Sequence, residues 1–190
     1  MQELECIQKP ASGNDEPNQP RLTFARGNGD LLEALADGTA QIAGATPFLW
    51  SREDAMESLD VLVVDEAAQM SLANVVAITG AAESIILLGD PRQLEQPIKG
   101  SHPEGADCSA LDHLLGGNLT ISSDQGLFLG ETYRLHPDIC EFNSELFYEG
   151  KLRSVTGTEK QKICSAGDFS GSGLRYYPVE HKGNTSRSVE

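Results

Sequence analysis

Two adjacent carboxylates, Asp65 and Glu66, follow directly on the apolar run Val61-Leu62-Val63-Val64, and this junction is where the chain is best equipped for chemistry. One carboxylate can hold a hard divalent cation through oxygen, while its neighbour orients or deprotonates a water. An apolar run without polar interruption predicts a strand buried on both faces of a parallel sheet. Open α/β sheets bind ligands beyond the carboxyl ends of such strands, so both acids would project where a metal-bound phosphate could sit. The competing reading is structural. Two acids after a strand also suit a solvated turn and the first turn of a following helix, where negative charge is favourable.

A second stretch of the same kind shifts the balance. Ser84-Ile85-Ile86-Leu87-Leu88 again runs into a glycine and an acid, Gly89 and Asp90, and the polar segment Pro91 to Pro97 follows. Gly89 tolerates angles and close approaches that a side chain forbids, and the two prolines stiffen the loop beyond it. Gln93 offers a donor and an acceptor together, so it can touch a terminal phosphate oxygen and an attacking water at once. Taken alone, it is equally a solvent-facing loop amide. Between the two strands, Ser71 followed by Leu72 to Ile78 predicts a capped helix with Gly80 near its stop. Strand, helix and strand then form one right-handed βαβ unit.

Residues 65–69 read Asp-Glu-Ala-Ala-Gln and residues 89–94 read Gly-Asp-Pro-Arg-Gln-Leu. In that order and at that separation they resemble motifs II and III of superfamily 1 helicases, the first of these being a Walker B element. Farther on, Glu131-Thr132-Tyr133-Arg134-Leu135-His136-Pro137, with Phe142 and the stretch Phe147 to Leu152, resembles the Tyr-Arg-x-His-Pro segment that opens the second RecA-like domain. That segment marks the branch with the nonsense-mediated-decay and replication helicase-nuclease enzymes. Gln93 to Pro97 and Leu135 to Leu152 look most like bacterial proteins in which such a helicase follows a RecB-like nuclease domain.

The resemblance covers roughly residues 44–152 and implies an α/β fold, the RecA-like parallel sheet of a P-loop NTPase. Residues 31–125 would be the back half of the first motor domain and 126–190 the beginning of the second, with 1–30 an irregular or partly disordered segment upstream. The implied cofactors are ATP and Mg2+. The implied partner is single-stranded nucleic acid, DNA in preference to RNA, along which a monomeric motor moves 5′ to 3′. Asp65 would hold magnesium through water, Glu66 would activate the attacking water, and Gln93 would sense the γ-phosphate. Arg134 would reach across the interdomain cleft to transition-state charge, a task suited to a permanently charged planar donor fork. Gln69, Gly89 and Asp90 fall on the nucleotide side, and Thr46, in a glycine- and threonine-containing turn, on the nucleic-acid side. Without its motif, Arg134 would be a surface residue pairing with Glu131 or Asp138. A nucleotide-independent interaction module of the same fold, or a remodelling ATPase, is the alternative, although a decayed site has no physical need to keep Asp65, Glu66, Gln93 and Arg134 together.

No Gly-x-x-x-x-Gly-Lys-Ser/Thr sequence occurs among the 190 residues, so the backbone cradle, lysine and hydroxyl that hold phosphates and magnesium are lacking. The expectation is an internal piece of a helicase core that does not hydrolyse ATP by itself. The net charge of −15 argues against phosphate-backbone binding by this piece as a whole, since such binding relies on lysine and arginine displacing counterions. Hydrophobic residues make up 39%, enough for a globular core. Cys6, Cys108, Cys140 and Cys164 show no metal-ligand spacing, and Cys140 is expected as a buried apolar residue. No signal peptide precedes them and no run is long enough to span a membrane, which makes a reducing cytoplasm the expected setting.

Other elements follow from pattern. Leu31 to Ala36 predicts a helix stopped by Gly38, Ala40 to Ala43 a strand, and Ser51 a capping-box start to a helix ending near Leu59. Phe48 or Trp50 could stack on bases, with packing the stronger expectation for Trp50. Lys99 to Gly105 predicts an exposed loop, Ser109 to Leu115 a helix, Gly126 to Leu129 the start of a strand leading to Arg134, and Leu174 to Val179 a late strand. Pro137 fits the first position of a helix whose Ile139, Phe142, Leu146 and Phe147 recur at core spacing, with His136 as a cap.

Overall fold

The computed structural model describes residues 3–10, 19–93, 108–167, 169–178 and 183. The chain divides into two compact units, Met1–Gly117 and Asn118–Glu190. They are treated separately below as unit 1 and unit 2.

Unit 1 carries two parallel sheets. Strands β1 (Cys6–Gln8), β2 (Leu22–Phe24) and β3 (Ile42–Gly44) form the first, in the order β2-β1-β3. Strands β4 (Leu59–Val64) and β5 (Ala82–Leu87) form the second, with Val61 opposite Ser84 and Val64 opposite Leu87. Helix α1 (Asn28–Ala36) buries Leu31 completely and ends where Gly38 turns at φ 75°, the left-handed stop that glycine supplies. Helix α3 (Leu72–Ile78) joins β4 to β5, and its cap Ser71 accepts from the Asn74 amide at 3.3 Å. One core runs through both sheets: Ile7, Leu31, Leu49, Trp50, Leu62, Val64 and Ile78 all bury against it.

Several expectations fail for definable reasons. Residues 1–30 were expected to be irregular, yet β1 and β2 lie there, because a three-residue strand is too short to show periodicity. The expected helix after Ser51 is absent. Pro47 starts the short helix α2 (Pro47–Trp50) instead, Ser51 closes it, and one 3-10 turn, Glu53–Ala55, precedes β4. The run into Asp65 is covered on one face only: Leu62 and Val64 are buried, whereas Val61 and Val63 are 46% and 54% exposed. Helix α4 (Ala110–Leu115) is present, capped by Ser109, which accepts from the Asp112 amide at 3.1 Å. The segment from Leu94 through Gly105, including the expected loop, lies outside the described residues.

Unit 2 is built on one helix, α5 (Pro137–Phe147), preceded by β6 (Glu131–Thr132) and followed by β7 (Arg153–Ser154), which pair in parallel. Pro137 takes an initial helical position, and His136 Nδ1 accepts from the Asp138 amide at 3.2 Å, as the capping expectation had it. The inward face of α5 includes Cys140, as expected, but not the expected Phe142, Leu146 and Phe147. Cys140 and Ser144 are buried, one helical turn apart, while Phe142, Leu146 and Phe147 are exposed. Residues 126–130 and 174–178 form no strand. Among the described residues no helix is long and apolar enough to cross a membrane.

Candidate active site

The Asp65–Glu66 junction is a sharp corner at the carboxyl end of β4. Glu66 adopts φ 53°, ψ 38°, a left-handed conformation that costs a non-glycine residue about 1–2 kcal/mol. Strain of this kind persists only where the surroundings over-determine it. Here the surroundings are visible. The Glu66 amide donates to Asp65 Oδ1 at 2.9 Å, and the 3-10 turn Ala67–Gln69 follows with Ala67 and Ala68 buried. Gln69 Nε2 donates to Glu66 Oε2 at a long 3.5 Å. Both carboxylates remain exposed beyond the sheet.

The second motif is hydrogen-bonded to this corner. The Leu88 amide donates to the Val64 carbonyl and the Ala67 amide to the Leu88 carbonyl, each at 2.8 Å. A Cβ on Gly89 would lie 3.1 Å from the Ala67 and Ala68 nitrogens and from Leu111 Cδ1. Glycine is therefore favoured by the close approach of backbone and Leu111, as its sequence context implied. Asp90 then organises the loop: its Oδ1 accepts from the Arg92 amide at 3.0 Å, and its carbonyl from the Gln93 amide at 3.1 Å. Gln93 ends exposed. Asp65, Glu66, Gln69, Gly89, Asp90 and Gln93 thus share one corner of unit 1.

Thr46 follows the carboxyl end of β3 as the N-cap of α2, yet its side chain makes no capping bond, and it is exposed. Trp50 is buried, as packing predicted, whereas Phe48 is 85% exposed. Arg134 belongs to unit 2. Its amide donates to Thr132 Oγ1 at 3.2 Å, and its side chain is exposed. Among the described residues its guanidinium makes no ion pair with Glu131 or Asp138, so the surface-pairing alternative is not realised.

The donor chemistry fits magnesium, a hard cation commonly bound by one or two carboxylates together with substrate phosphates rather than by an all-protein cage. One Asp65 oxygen is engaged by backbone and the exposed carboxylate retains acceptor capacity for a metal-bound water. Sequence reasoning missed the backbone support of this site: the left-handed Glu66, and the contact of Gly89 with Ala67, Ala68 and Leu111. The only local signal was the small size of residues 67 and 68.

Parallel strands in an α/β arrangement, with this corner at a strand end, are consistent with a fragment of a RecA-like helicase domain. No protein-family model matches the chain. It is 37% identical over 94 residues to the mouse 5′-3′ DNA helicase ZGRF1, a match covering 48% of this chain and 5% of that protein. It is 31% identical over 173 residues to the Schizosaccharomyces pombe ATP-dependent helicase upf1, covering 88% of this chain and 18% of that one. To the Arabidopsis thaliana probable helicase MAGATAMA 3 it is 28% identical over 159 residues, covering 81% and 19%. These homologues are superfamily 1 helicases, and the chain spans less than a fifth of the length of each.

Proposed function

We propose that the chain is an internal segment of an ATP-dependent helicase or translocase that moves 5′ to 3′ on single-stranded nucleic acid, DNA in preference to RNA. The observation that carries this reading is the hydrogen-bonded junction of the two motifs, in which the Ala67 amide meets the Leu88 carbonyl directly beneath Glu66. A change at the Asp90–Gln93 loop is mechanically joined to the water-activating acid. Hydrolysis and strand movement need such a link.

In this reading residues 31–125 close the first RecA-like domain and 126–190 open the second. Asp65 holds Mg2+ through water, and when bound the cation neutralises charge on the phosphates of ATP. Glu66 takes the proton of the attacking water. Gln93 responds to the γ-phosphate, and Gln69, Gly89 and Asp90 shape the nucleotide side. Arg134 meets transition-state charge, and the absence of a local carboxylate partner leaves its fork available for that role. Thr46 donates to a strand phosphate. The motor works as a monomer in the cytoplasm, with a RecB-like nuclease in the same polypeptide, as the motif resemblance suggests. Residues 1–190 alone do not turn over ATP, because their sequence holds no Gly-x-x-x-x-Gly-Lys-Ser/Thr loop to cradle the phosphates.

The test is Glu66→Gln in the full-length protein. Shape and hydrogen bonding survive but the base is lost, so ATP should still bind while hydrolysis falls by roughly two to four powers of ten. Unchanged hydrolysis would return the acid pair to the status of a solvated turn.

A further inference from the structure

We infer that unit 2 carries a second contact for the nucleic-acid strand, a phosphodiester-binding pocket built by Lys162 and Arg175. The pocket encloses about 360 Å3 and is open to solvent. Its lining combines the aliphatic side chains of Ile139 on α5 and Ile163 with Lys162, Arg175 and Gln161. This inference rests on the helicase reading for the presence of a strand, and it assigns a site that the motifs do not.

Charge is the first argument. Unit 1 holds 6 basic against 19 acidic residues and unit 2 holds 8 against 10, so the chain's net −15 lies almost wholly in the first. Residues 151–175 include five basic residues and two acidic ones, Glu159 and Asp168. Lys151 is committed to Glu149. Among the described residues neither Lys162 nor Arg175 has an ion-pair partner. The nearby Asp138 does not line the pocket, and its Oδ2 accepts from the Ser172 hydroxyl at 3.0 Å.

Geometry is the second. Ile163 and Gly171 exchange both backbone hydrogen bonds, at 3.0 and 2.8 Å, which folds the segment back on itself. Arg175 Nη2 donates to the Ser170 carbonyl, leaving the other guanidinium N–H groups for a ligand. A Cβ on Gly171, which sits at φ 100°, would lie 3.1 Å from that nitrogen, so glycine lets the guanidinium rest across the bend. Gln161 Nε2 donates to the Tyr133 carbonyl at 3.2 Å, which fastens the pocket wall to the residue before Arg134.

The lining decides the ligand. Among the described residues no aromatic ring lines the pocket, and two cations beside aliphatic side chains suit the phosphate and sugar of a continuous strand better than a stacked base. Contact of this kind is neutral to sequence and sensitive to salt.

The experiment measures binding of oligodeoxythymidylate and oligodeoxyadenylate to the full-length protein across a salt series. It compares the natural protein, K162Q/R175Q and the charge-retaining K162R/R175K. For K162Q/R175Q the slope of log affinity against log salt should shrink by about 1.4, two phosphate contacts at roughly 0.7 each on a single strand. Both oligonucleotides should shift alike, and K162R/R175K should keep the natural slope. Thermal melts confirm that the exposed substitutions leave the fold intact, and K162Q alone should give about half the change by the same count. Strand binding with an unchanged slope overturns this inference alone. Weakened ADP binding with an unchanged strand slope makes the pocket a nucleotide site and also overturns it. Loss of hydrolysis in Glu66→Gln has no bearing on these slopes, whereas a full-length protein that binds no strand overturns both readings.

Discussion

Units 1 and 2 solve the problem of stability differently. In unit 1 apolar side chains from both sheets and from α1, α2 and α3 converge, and Leu31 is completely buried. In unit 2 Cys140 is the one buried apolar residue among those described, the others being Thr120, Ser144 and Thr158. There, polar side chains organise the backbone. Ser144 Oγ accepts from the Leu152 amide at 3.0 Å, Ser154 Oγ donates to the Leu135 carbonyl at 2.8 Å, and Thr120 donates to Glu149 Oε2 at 2.8 Å. The comparison teaches that the acid pair stands on a packed base, whereas Arg134 stands on a loop-and-helix unit fixed by directional bonds. Local opening is cheapest where few apolar contacts are made, so unit 2 should open more readily than unit 1.

The sharpest way to break this comparison is Leu31→Ala. Removing a fully buried leucine should cost about 2–5 kcal/mol, read as lost amide exchange protection throughout unit 1. A cost below 1 kcal/mol on that scale would mean that the unit 1 core is not the source of its stability.

An intermediate test sets Ser144→Ala against Phe142→Ala on the same helix. Ser144→Ala leaves the Leu152 amide without its acceptor, at a cost of about 1–3 kcal/mol. Phe142 is 46% exposed, so its truncation should cost less. The reverse order would assign unit 2 an apolar core after all.

The smallest effect concerns pH. Lys151 above all, and Thr120 after it, hold the Glu149 carboxyl below the ordinary value of 4.5 by hydrogen bonds to its charged form. A folded-state value that is depressed contributes stability above the unfolded value and loses it as pH falls through the folded one. Melts taken below pH 4.5 should therefore show an acid-side loss in the natural protein that Glu149→Gln flattens. Identical acid limbs would remove Glu149 from the account of unit 2.

Much of the site was legible because its determinants are local. Apolar runs ending at Asp65 and Gly89 marked both strands, and Ser71, Ser109 and Pro137 marked three helix starts. The failures share a cause. Gly126 to Leu129 and Leu174 to Pro178 have strand-like composition but form no ladder, since a strand exists only through a partner. Phe142, Leu146 and Phe147 had core spacing and face solvent, because spacing names a face of a helix without naming what covers it.

The sequence by itself determined which residues can do chemistry and in what order they come, since carboxylate, amide and guanidinium carry their capacities wherever they sit. Only the tertiary structure decided that Glu66 turns left-handed over Ala67, that a Cβ on Gly89 would press against Ala67, Ala68 and Leu111, and that Lys162 and Arg175 line one pocket. The last two join segments apart along the chain, and the Glu66 turn is held by the Ala67–Leu88 bond between the two strands, so all three depend on packing and hydrogen bonding that no local pattern encodes.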